Sequence, residues 1–104
     1  MRADSDAERH LAAVSARAAY VPVDGEPGIV IVSAGATYAD AKHEEFHAQQ
    51  HESRRWRAWH AAERFALETE AHRYVLAHAQ EWNLSLREIE ENERLLEFWE
   101  SQLP

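Results

Sequence analysis

The chain has no cysteine among its 104 residues, which excludes a disulfide framework, a thiolate nucleophile and thiolate metal ligands. Any metal site must be built from histidine and carboxylate. Glycine and proline are scarce, three of each, and from Ala36 to Leu103 neither occurs. That stretch is expected to be helical, interrupted only where polar residues permit. No apolar run approaches the ~20 residues of a membrane span, and the opening MRADSDAERH carries no secretory signal. A protein that is cytoplasmic as synthesised, with no membrane partner, is therefore expected. Bases are few: 11 against 19 acids leave a net charge of −8, which repels nucleic acid unless basic residues cluster on one face. Only Arg54, Arg55 and Arg57 stand together, so no nucleic-acid partner is expected. A chain of this length with 45% hydrophobic residues is long enough for one domain over 1–104 with one core.

Against these absences stand seven histidines. To place them, the order of elements is needed. Leu11, Val14 and Ala18 at helical spacing behind Asp4 or Ser5 predict a helix over 4–19. Two β-branched runs, Tyr20 to Val23 and Gly28 to Val32, flank Asp24-Gly25-Glu26-Pro27 and predict a hairpin over 20–33, with Pro22 on an edge or very short strand. Thr37 is the expected cap of a helix over 38–52. Ser53 is a candidate cap for a helix over 54–80, in which Trp56, Trp59, Leu67, Ala71 and Tyr74 line up. Asn83 or Ser85 opens a last helix over 84–100 with Leu86, Ile89, Leu96 and Trp99 on one face and charges on the other. The fold class is α+β, predominantly helical, with about four helices and one short β-hairpin.

His43-Glu44-Glu45-Phe46-His47 is H-E-x-x-H, in a segment already expected to be helical. Residues four apart on a helix stand one above the other, so both imidazoles can reach one ion. Glu44 leaves that line by a helical step of ~100° and can act as a base without ligating. Zinc is the expected metal, since it takes imidazole and carboxylate ligands in a tetrahedral site with one position left to water. His51 extends the ladder but lies about 12 Å along the axis from His43, too far for the same ion. The metzincin solution bends the chain at a glycine before a third histidine, and no glycine follows Gly35. The third ligand must then come from another element. Glu68 and Glu70 are both candidates; Glu68 shares its side of the helix with Phe65, His72 and Leu76, where a carboxylate is expensive unless paired or ligating. The other could orient an imidazole by accepting its second N–H.

The run His43 to His47 followed by Gln50, then Glu68-x-Glu70-Ala71-x-x-Tyr74, resembles the short gluzincin metallopeptidases, in which a glutamate helix follows H-E-x-x-H. It looks most like the zincin-like metallopeptidase toxin domains of bacterial polymorphic toxin systems; Ala36-Thr37-Tyr38, Tyr74-Val75 and the segment from Leu84 to Trp99 follow the same order. It is also similar to small peptidases that cleave phage repressors. The likeness covers roughly Ile29 to Trp99. It implies a minimal zincin-like core, His43, His47 and Glu68 as zinc ligands, and Glu44 as catalytic base. It further implies a dedicated protein or peptide substrate and, for a toxin, a cognate inhibitor or immunity protein and delivery to a target cell. In the family an aspartate four residues after the glutamate ligand supports a histidine; here His72 stands there, which brings Glu70 and His72 forward as supporting residues or alternative ligands.

On this reading zinc lowers the pKa of its bound water toward ~7, and Glu44 takes a proton and passes it to the leaving amine. The donor for the oxyanion would come from Tyr74, His72, His60 or Arg73. The strand Ile29 to Val32 could add an extended substrate to a sheet edge. The competing expectation is a non-catalytic helical interaction module whose histidines form a structural or degenerate metal site.

Overall fold

A computed structural model of the chain describes residues 17–57 and 59–103. Two strands and three helices follow one another: β1 (Ala18–Val23), β2 (Glu26–Val32), α1 (Tyr38–Ser53), α2 (Ala61–Ala77) and α3 (Leu86–Ser101). The class is α+β and mostly helical, as expected. None of the helices among the described residues is long and apolar enough to cross a membrane. The chain forms two compact units that meet in sequence between Ala58 and Trp59.

In the first unit β1 and β2 form an antiparallel hairpin in which Ala19 faces Ile31, Tyr20 faces Val30 and Val21 faces Ile29. Asp24 and Gly25 make the turn, with Gly25 at φ 86, the left-handed region that glycine enters without cost. The register breaks between Val21 and Val23, where Pro22 has no N–H to give the ladder. The helix expected over 4–19 lies largely outside the described residues, but its end is corrected: Ala18 and Ala19 belong to β1. Their pairing with Val32 and Ile31 overrides the helix preference of alanine.

Helix α1 packs on both strands. Thr37 caps it through a capping box: its hydroxyl accepts from Asp40 N–H (3.0 Å) and Asp40 Oδ2 accepts from Thr37 N–H (2.9 Å). Asp40 also accepts from Arg17 at 3.1 Å. The buried positions of α1 are Ala39, His43, His47, Gln50 and His51, so the face turned inward is polar and each of its groups needs a partner. His51, wholly buried, takes the Tyr20 hydroxyl on Nδ1 at 2.6 Å, and the same hydroxyl accepts from Gly28 N–H at 2.8 Å.

The glutamate helix does not begin at residue 54. Trp56 N–H donates to the His51 carbonyl and Arg55 N–H to that of Glu52, the two bonds of a Schellman stop, with Arg55 at φ 57 and Trp56 at φ 59. Such a stop normally uses glycine, which is why the residues did not announce it. Gly25 N–H then donates to the Trp56 carbonyl at 2.8 Å, tying the hairpin turn to the end of α1. Ser53 caps nothing; its hydroxyl donates back to the Gln50 carbonyl.

In the second unit α2 starts after His60, whose N–H donates to Glu63 Oε1 at 3.1 Å. Trp56 and Trp59 therefore lie outside the helix expected to carry them. The helix ends at Ala77 rather than at 80, and turns follow as far as Asn83, which stands at φ 50. Ser85 caps α3 by accepting from Glu88 N–H at 3.1 Å. Phe65 packs near Trp99 and His72 near Asn92, a reversed order of partners that makes α2 and α3 antiparallel. The buried side chains of α2 are Thr69, Ala71, His72 and Val75.

Candidate metal centre

The start that the Thr37 box gives α1 sets the angular phase of everything after it. His43 and His47, one turn apart, both face inward, 8% and 3% exposed. Their rings meet edge to face with centroids 4.6 Å apart, and their Nε2 atoms approach to 3.0 Å. Two ligands at ~2.0–2.1 Å from one tetrahedral ion would stand roughly 3.3 Å apart. The observed spacing is close to what one shared ion requires.

Gln50 completes the arrangement from the next turn. Its Oε1 lies 2.7 Å from His47 Nδ1. An amide oxygen only accepts, so the His47 proton sits on Nδ1 and Nε2 is the atom available to a metal. Gln50 was noted in the sequence as part of the family-like run; the role of its amide came only with the geometry.

His43, His47 and Glu68 each offer a ligand atom of a kind that could hold a metal ion, the two histidines in the first unit and Glu68, half-buried on α2, in the second. Of the two carboxylates left open by the residues, Glu68 is half-buried and Glu70 exposed on α2. Glu44 is half-buried on α1, next to His43.

His72, one turn after Glu68, is buried. Its Nε2 stands 3.9 Å from Glu68 Oε2, and its Nδ1 is 2.9 Å from Asn92 Oδ1. Tyr74 packs its ring against His78 (4.5 Å) and Trp82 (5.5 Å), and those two rings stack on each other. Arg73 is engaged with Glu100 at 2.6 Å on the exposed side. His60 is exposed at the start of α2, and His51 belongs to the Tyr20 contact, not to the metal group. His10 lies outside the described residues.

Asn92 was not foreseen. A signal for it exists in the sequence: Ile89, Asn92, Leu96 and Trp99 repeat at steps of three, four and three, and an amide in such an apolar seam asks for a specific partner.

No family model matches the chain, and no curated protein or solved structure matches it either. The chemistry of the side chains is therefore the basis for a functional reading.

Proposed function

We propose that the chain is a zinc-dependent endopeptidase acting on a dedicated protein or peptide substrate. The observation that supports it most is the pair of Nε2 atoms 3.0 Å apart, with the tautomer of His47 set by Gln50. His43, His47 and Glu68 would hold the ion, a three-residue set of the kind that leaves a fourth position to water. Bound zinc would supply a Lewis acid and lower the pKa of a coordinated water toward about 7. Glu44, one residue from the first ligand, accepts the proton on its carboxylate and returns it to the leaving amine nitrogen, one group serving as base and then as acid. Tyr74 is the candidate donor to the carbonyl oxygen as negative charge develops there. A toxin-type or a repressor-cleaving role both fit this chemistry; the first would add a cognate inhibitor protein and delivery to another cell.

Elemental analysis of the purified, mildly dialysed protein tests the metal: about one zinc per chain is expected. Protein that neither retains zinc nor takes it up would sink the reading.

A second reading draws on the surface of α3. Leu86 is 70% and Phe98 53% exposed on a helix rich in glutamate, which favours a protein-interaction module with a structural metal. Glu44→Gln separates the two. It leaves an interaction module unaffected and stops a peptidase.

A further inference from the structure

Arg54, Arg55 and Arg57 are the basic cluster of an acidic chain, and the zinc chemistry makes no use of them. The fold places all three in the seven residues between Ser53, where α1 ends, and Ala61, where α2 begins, and the two compact units meet in the same stretch. The other described bases sit in regular structure or beside it. Lys42 is in α1, Arg64 and Arg73 are in α2, Arg87 and Arg94 are in α3, and Arg17, next to β1, is held to Asp40 at 3.1 Å.

An endopeptidase threads several residues through its site in extended form, so a bond within a helix or strand is reached only after local unfolding. Exposed segments between compact units open at least cost. Within this joint the three arginines differ. Arg54 is half-buried. Arg55 and Trp56 are pinned: their N–H groups donate to the Glu52 and His51 carbonyls at 2.9 and 2.8 Å, and the Trp56 carbonyl accepts from Gly25 N–H at 2.8 Å. Arg57 is exposed, and the bond from its N–H to the Arg54 carbonyl is the longest of the turn at 3.3 Å.

We propose that the joint is a processing site, at which an arginine-directed endopeptidase, one with an acidic pocket for the side chain before the cut, opens the folded chain once, at the bond that follows Arg57. Water is the co-reactant. Its hydroxyl joins the Arg57 carbonyl carbon and its remaining hydrogen the departing nitrogen, which leaves a carboxylate and an ammonium at neutral pH. The cut falls beyond every bond of the α1 stop and before the capping box of His60 and Glu63, so both are kept. It also divides the charge unevenly. Up to Arg57 there are seven bases and nine acids, and after it four and ten, so the fragments carry −2 and −6. The inference is independent of the zinc reading.

Brief digestion of the full chain with a low ratio of trypsin, followed by intact-mass spectrometry, tests it. From Arg17 onward, the first cut should yield a fragment ending at Arg57 and its complement, separable by anion exchange. Arg57→Gln should lose that cut and stay intact over the same time, with circular dichroism and unfolding midpoint unchanged. The double variant Arg54→Gln/Arg55→Gln should still be cut after Arg57. A first cut at Arg17, Lys42, Arg54 or Arg55, or within α2 or α3, overturns the inference.

Discussion

Gln50 decides which nitrogen of His47 carries a proton, and so which one a metal can use. Replacing it with leucine keeps the bulk and removes the acceptor. Zinc affinity by chelator competition should fall by about 10–100-fold while the far-ultraviolet circular dichroism of the helix is retained. His47→Ala should abolish binding in the same assay. Glu44→Gln should retain zinc and the thermal midpoint, and lose peptide cleavage by at least the ~10²–10⁴-fold that a positioned acid–base group contributes; residual cleavage near the parental rate would remove Glu44 from its role. The pair His43 and His47 was legible in the sequence because helical geometry alone brings residues four apart together. The partners of the outer nitrogens of His47 and His72 were not, since Gln50 and Asn92 differ from other polar residues only in where their amides point.

Among the elements, the hairpin and α1 are joined by one hydroxyl. Tyr20 accepts from Gly28 N–H and shares a hydrogen bond with the buried His51, so Tyr20→Phe removes both bonds. A loss of about 1–3 kcal/mol is expected, read as a lower unfolding midpoint of the metal-free protein. Gly28→Ala should be worse, because a Cβ there would overlap the Val21 carbonyl oxygen and stand 2.6 Å from Tyr20 Oη. The starts of α1 and α3 were legible in Thr37 and Ser85, each with an acid three residues on, as local capping chemistry dictates. Their stops were harder to read. The end of α1 rests on Arg55 and Trp56 in left-handed geometry, a conformation that neither side chain favours and that backbone bonds to His51, Glu52 and Gly25 hold in place.

For the whole molecule, the acidic, cysteine-free composition excluded whole classes of function but said nothing of the division at Ala58 and Trp59, where no glycine or proline marks a boundary. Metal binding should register globally. A ligand present at 100 times its Kd stabilises the folded state by about 2.7 kcal/mol, which for a chain of this size raises the unfolding midpoint by on the order of 10 °C. Added zinc should produce that rise, and a chelator should reverse it; an unchanged midpoint at saturating zinc would argue against a site formed only in the folded protein.

The bond from Gly25 to the Trp56 carbonyl closes the first unit with residues that are all synthesised before Trp59. Hairpin, helix and stop are near neighbours along the chain, and such local contacts form quickly. At ~5–20 residues per second the ribosome needs about 1–4 s to pass from His47 to Glu68. The two histidines can therefore be held in their final orientation on a nascent chain from which α2 has yet to emerge, so under the proposed zinc function an ion could meet the histidine pair before any carboxylate of α2.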